Sequence, residues 1–203
     1  MDNLPEDRPA AVVTAGGAGS RLGRGKASLR IRPDGQLLLS RNAALLKDIL
    51  GDVLIVGRES PDFPWIPDEQ PGMGPAGGAA SALRRCGRAC LVLPCDMPFI
   101  DAPTLRKLIT ARAGRPPDTV LTAFCSTESA RVEALPGIYE PEALPFLDRG
   151  LRAGRVKLLR LIPDGLIHRV PYTHEEALPL FNINFPADLA LAAAFARTAG
   201  TRF

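Results

Sequence analysis

The chain has 203 residues, enough for one large α/β domain, and its 46% hydrophobic and 23% charged residues match an ordinary globular protein. Its 25 Lys and Arg against 22 Asp and Glu leave a formal charge of +3, too small to argue for a nucleic-acid binder. The opening "MDNLPEDRPA" has neither a basic region nor an apolar core, so no signal peptide is read there. The longest apolar tract, "LALAAAFA", falls short of the ~20 residues that a membrane span needs.

In chain order, "AAVVTA" reads as a buried strand, a short β-branched run ended by glycines. "SRNAALLKDIL" follows Pro33-Asp34-Gly35 and reads as a helix with Ser40 as its N-cap. "DVLIVG" is a second strand, and the proline-rich "SPDFPWIPDEQPGMGP" is a loop to which Trp65 contributes no assigned role. A helix over "AGGAASALRRC", a strand over "ACLVLPCD", a helix over "APTLRKLITARA" and a strand over "TVLTAFC" come next. After "EALPGIYE", a helix pair is expected around 142–162, then a strand at "LIHRVPY" and a closing helix from Pro186. This alternation implies a three-layer α/β fold with a mainly parallel central sheet, and one domain over 1–203 with its core at about 10–198.

Cys86, Cys90, Cys95 and Cys125 lack paired CxxC spacing; Cys90 and Cys95 flank a strand-like run and read as small buried thiols of a reduced, cytoplasmic protein, not as a metal cluster with Cys86. Arg84, Arg85 and Arg88 read as a solvated helix end, and His168 and His174 as surface residues.

In a parallel sheet, ligands collect beyond the carboxyl ends of the strands, and three loops there are unusual. "VVTAGGAGSRLGRGKASL" interleaves glycines with Arg21, Arg24 and Lys26, which suits a polyanion: backbone N–H groups and cations surround phosphate. "PGMGPAGG" opens a helix, and "LPCDMPF" ends a strand at Asp96 between two prolines. All three are expected on one edge of the sheet. The first loop fits neither common glycine pattern. Leu22 stands where a dinucleotide fingerprint needs its third glycine, and Ser20 and Ala27 break GxxxxGK[ST].

The loop instead closely resembles the signature of the Rossmann-like nucleotidyltransferases, and within them of the molybdenum cofactor guanylyltransferases. Ala15, Gly16, Gly17, Arg21, Gly23 and Lys26 fall at matching positions, with Leu22 replacing methionine. "GMGPAGGAASAL", "LPCDMPF" and "FNINFPADL" resemble three later family motifs in the same order, so the likeness runs from residue 11 to about 190. The chain departs from the pattern at Gly25, at Ala76-Gly77-Gly78 and at Phe185.

The resemblance implies transfer of GMP from GTP to the phosphate of molybdopterin or the molybdenum cofactor, with Mg²⁺ and release of pyrophosphate. It assigns nucleotide binding to Ala15, Gly16, Gly17, Gly19, Arg21, Lys26, Asp68, Gly74, Gly77 and Asp96, with Arg21, Lys26 and Asp96 catalytic. Arg21 and Lys26 would neutralise the triphosphate, and Asp96 is a hard oxygen ligand suited to Mg²⁺. Asn182 and Asn184 alternate with Phe181, Ile183 and Phe185, so both amides share one side, near the metal and the acceptor. Expected partners are GTP and molybdopterin, with molybdoenzymes or other cofactor-biosynthesis proteins beside them, but no nucleic acid and no membrane. A cytidylyltransferase or another small-molecule nucleotidyltransferase remains an alternative, as does a non-catalytic cofactor-binding protein. Ala-Gly-Gly in the first loop and Gly-Pro in the second resemble the guanine-using branch.

Overall fold

Short β-branched and aliphatic runs make the strands, and their alternation sorts each one's side chains between two helical layers. A computed structural model describes residues 7–16, 29–31 and 35–198. Gly17, Gly19, Arg21 and Lys26 lie outside the described residues.

The strands are β1 (Ala10–Thr14), β2 (Val53–Val56), β3 (Trp65–Ile66), β4 (Cys90–Pro94), β5 (Leu121–Ser126), β6 (Val132–Tyr139) and β7 (Ile167–Tyr172). They form one sheet in the order β3-β2-β1-β4-β6-β5-β7. β1 pairs in parallel with β2 and β4, β2 with β3, and β5 with β7. Only β6 runs antiparallel, to β4 and β5. The sheet is therefore mainly parallel, as expected.

Along β1, Ala11 and Val13 face helices α1 (Leu38–Leu50) and α3 (Ala102–Ala113), while Ala10 and Val12 face α2 (Gly74–Cys86) and α4 (Leu144–Arg152). A strand covered on both faces needs no polar residue, which explains its continuous apolar run. A smaller apolar cluster joins Leu29, Leu38, Phe99 and Ile183 to Ala192 of α5 (Pro186–Thr198).

Four local expectations change. Ser40 is not the cap of α1, because the helix starts two residues earlier, at Leu38. Leu38 and Leu39 are buried, and the Leu38 N–H donates to Leu29 O at 2.9 Å, so this end is satisfied by backbone and packing. The proline-rich loop contributes β3, a two-residue edge strand too short to show a period. The helix of the glycine loop begins at Gly74 with Pro75 in its first turn, two residues ahead of expectation. The helix pair at 142–162 is one α-helix, α4, because Gly154 turns the chain at φ +69° and only a 3₁₀ turn, Leu158–Arg160, follows. No helix among the described residues is long and apolar enough to cross a membrane.

Candidate active site

Parallel strands β1, β2 and β4 end together, and the segments that leave them enclose a cleft of about 300 Å³. Gly16, Asp68, Gly74, Asp96, Asn182 and Asn184 all line it, with Thr14, Val56, Gly78, Cys95 and Leu135. The three loops singled out in the sequence thus meet at one edge, in their described parts. Ala15 stands just behind, its N–H donating to Val56 O at 2.8 Å.

The wall at Gly16 depends on small residues. A Cβ on Gly57, at φ +93°, would stand 2.8 Å from Gly16 Cα and N, so only glycine lets the end of β2 touch the first loop. The sequence reading missed Gly57, because its partner, Gly16, lies some 40 residues earlier in the chain. On the other side, a Cβ on Gly78 would lie 3.0 Å from the Thr14 methyl, which shows how closely α2 settles on β1. That approach brings the N-terminus of α2, at Gly74, to the cleft, where its first N–H groups favour an anion.

Asp68 is held from behind. Its Oδ1 accepts from Gln70 N–H at 3.0 Å and from the Ser81 hydroxyl at 3.3 Å, and Ser81 in turn accepts from Glu69 N–H. Its Oδ2 lies where a Cβ on Gly16 would come within 3.4 Å. Gly77 does not line the cleft. It backs Asp68, since a Cβ there would meet Asp68 Oδ1 at 3.2 Å and Gln70 O at 3.1 Å.

Asp96 follows β4 and is 6% exposed. Cys95 N–H donates to Thr14 O at 3.0 Å, and Ile183 N–H donates to Asp96 O at 3.0 Å. The second bond ties the extended segment of Asn182 and Asn184 to the aspartate loop. Ile183 is buried, so its two asparagine neighbours turn together toward the cleft, and the Asn184 amide donates to Asn182 Oδ1. Asp188 then holds this segment against α5 by accepting from the N–H groups of Asn184 and Phe185 at 2.9 and 2.8 Å.

One carboxylate, two carboxamides and a second carboxylate across the cleft make an all-oxygen donor set. Such a set fits Mg²⁺, which takes one or two carboxylates and completes its shell with phosphate oxygens and water. No group of three or more His, Cys, Asp or Glu suited to a metal occurs among the described residues. None of the four cysteines is in a disulfide, and Cys95 is buried at the cleft wall.

A further basic element was missed. A Cβ on Gly74 would stand 3.7 Å from Val156 Cβ, so the turn after α4 lies beside the start of α2, with Arg152, Arg155 and Lys157 exposed. The spacing of Arg149, Arg152, Arg155, Lys157 and Arg160 is the signal that was available. His168 and His174 are absent from the cleft lining.

Over residues 11–168 the chain matches the family described as the MobA-like NTP transferase domain. A molybdenum cofactor guanylyltransferase from Xanthomonas euvesicatoria pv. vesicatoria is 33% identical over 86% of this chain and 89% of its own. A "probable molybdenum cofactor guanylyltransferase" from Pelotomaculum thermopropionicum is 29% identical over 94% of each chain. The crystal structure of molybdopterin-guanine dinucleotide biosynthesis protein A from Archaeoglobus fulgidus shares the fold, with a TM-score of 0.73 at 24% identity, covering 93% of this chain and 99% of that one. The matched region holds β1, the aspartate loop and the helix that opens at Gly74, and on this ground the chain belongs to the MobA-like NTP transferase family.

Proposed function

We propose that this protein transfers GMP from GTP to the phosphate of molybdopterin or the molybdenum cofactor. A phosphate oxygen of the acceptor attacks the α-phosphorus in line, the bond from that phosphorus to the bridging α–β oxygen breaks, and pyrophosphate leaves. No general base is required, because the acceptor phosphate is already ionised. The observation that carries this reading is the meeting of Asp96, Asn182 and Asn184 with Gly16 and the Gly74 helix start in one cleft.

Each residue answers a need of the reaction. Two polyanions must be brought together, so charge compensation and positioning dominate. Gly17, Gly19, Arg21 and Lys26 would close over the triphosphate, with Ala15 and Gly16 leading into that loop. Asp68, braced by Ser81, would face the nucleoside, with Gly77 leaving room for its carboxylate. Asp96 would hold Mg²⁺ beside the α-phosphate, with Asn182 and Asn184 near the acceptor. When bound, the ion offsets charge that develops on the phosphoryl oxygens. Residues 1–203 would act as one domain in the cytoplasm, with molybdoenzymes or other cofactor-biosynthesis proteins receiving the product.

The test is incubation with molybdenum-loaded molybdopterin, Mg²⁺ and each nucleoside triphosphate in turn, following pyrophosphate. Release with GTP well above the other three is expected. Release with CTP at an equal or higher rate would assign the chain to cytidylyl transfer, and no release with any triphosphate would favour a binding protein.

A further inference from the structure

We infer that Asn42, on α1 and outside the cleft lining, is the positioning residue that holds Asp96 in register for its metal; this rests on the transferase reading above. The loop after β4 has an unusual backbone problem. Pro94 and Pro98 carry no N–H, so neither can donate to a neighbouring carbonyl, yet Met97 and Ile100 are fully buried and Cys95 and Asp96 nearly so. The carbonyls of a buried loop need donors, and water does not reach this one freely.

Asn42 provides them. It is fully buried, and its Nδ2 lies 3.2 Å from Met97 O and 3.4 Å from Pro94 O. One amide group has two hydrogens, so a single side chain grips the residues on both sides of Cys95-Asp96. Its own orientation is fixed in turn: Arg41 Nη1 donates to Asn42 Oδ1 at 2.9 Å, while Arg41 Nη2 donates to Ile100 O at 2.8 Å. Three carbonyls of the loop, at 94, 97 and 100, are therefore referred to one turn of α1. The remaining side is closed by Ile183 N–H, which donates to Asp96 O, and by Cys95 N–H, which donates to Thr14 O. A carboxylate that must meet a metal and a phosphate within tenths of an ångström is thus held by the α1 amide, more than fifty residues away in the chain. An apolar residue would pack as well at this position but remove the donor that reaches the buried Met97 carbonyl and the half-buried Pro94 carbonyl.

The test compares Asn42→Asp, which keeps the shape and the acceptor for Arg41 but loses both N–H donors, with Asn42→Leu, which introduces no charge. Leu46→Ala, on the same helix and also fully buried, is the control for plain loss of packing. Mn²⁺ is titrated in the presence of GTP and followed by electron paramagnetic resonance, alongside kcat, KM for GTP and melting temperature. Both Asn42 variants are expected to bind Mn²⁺ about tenfold more weakly and to lose about tenfold or more in kcat, with KM for GTP nearly unchanged. Leu46→Ala should lower the melting temperature and leave those three values alone. Asn42 variants that melt earlier yet keep wild-type Mn²⁺ affinity and kcat would overturn the assignment. If the wild-type protein shows neither Mn²⁺ binding with GTP nor pyrophosphate release, the transferase reading is what fails. The grip itself is then decided by amide exchange at Cys95, Asp96 and Met97, faster in Asn42→Leu than in Leu46→Ala if it stands and equal if it does not.

Discussion

The two ends of the sheet treat charge in opposite ways. At the end away from the cleft, Arg112 of α3 and Glu140, just after β6, are each 4% exposed and bind each other through two contacts, at 2.7 and 2.8 Å. Arg112 also meets the Asp7 carboxylate at 3.0 Å, and Arg115 adds a contact to Glu140 at 3.1 Å. Glu140 as the leading cause, with Asp7 behind it, raises the Arg112 pKa further above its ordinary value. These four charges are partnered with one another within the chain. At the cleft end, Asp68 and Asp96 line the cleft with glycines and a helix start, and Arg152, Arg155 and Lys157 are exposed in and beside the turn that packs against that helix start. A charge satisfied internally stabilises the fold, while one aimed at a cleft is available to a ligand. The contrast teaches which charges to remove in order to separate stability from chemistry.

The largest effect is expected at Asp96. Asp96→Asn keeps size and hydrogen bonding but removes the charge that would hold Mg²⁺, so Mg²⁺-dependent turnover should fall roughly 10³-fold or more. GTP affinity should suffer much less and the melting temperature should barely move. A fully active variant would take the metal away from that residue.

Glu140→Gln should show the reverse profile. It leaves the Arg112 guanidinium buried against a neutral partner, and breaking a buried pair costs about 3 kcal/mol or more in stability. Denaturant unfolding would read that loss, while KM and kcat of the folded enzyme should match wild type. A changed KM for GTP would mean that the two ends are coupled.

Next in size, Lys26→Ala should weaken triphosphate binding and turnover about tenfold, the scale of one charge-assisted contact, with stability unaffected. Wild-type kinetics would reduce the opening loop to a turn. Smallest is an exposed pair, Lys107 Nζ to Glu176 Oε1 at 2.7 Å, with side chains 38% and 48% exposed. Lys107→Ala should change stability by less than about 1 kcal/mol, and the change should shrink further in high salt.

What the sequence revealed follows from how far apart the interacting residues are. Strands β1, β2, β4, β5 and β7 and helix α3 were legible because their signals are local, while β6, over "VEALPGIY" with a proline and a glycine inside it, was not read as a strand. The Asp101 carboxylate does accept from Thr104 N–H at 2.9 Å, as a helix cap should. Asn182 and Asn184 were legible for the same reason, since strict alternation around buried Ile183 is written into five consecutive residues. Gly57 and Asn42 were not. Each matters through a contact some 40 to 55 residues away, to Gly16 in one case and Met97 in the other, and no short-range pattern marks such a pairing. Ser40 misled because a serine that looks like a cap competed with Leu38 and Leu39, whose burial fixes the helix start earlier. β3 escaped because two residues cannot display a period.

The central claim, that this cleft attaches a guanine nucleotide to molybdopterin, is tested most directly by competition in one reaction. The protein is mixed with Mg²⁺, molybdenum-loaded molybdopterin and equal concentrations of GTP and CTP, and the two dinucleotide products are separated by mass at early times. Their ratio reports the ratio of kcat/KM, independent of enzyme concentration or the fraction active. The account predicts a product carrying GMP in large excess. A product carrying CMP in equal or greater amount would contradict it.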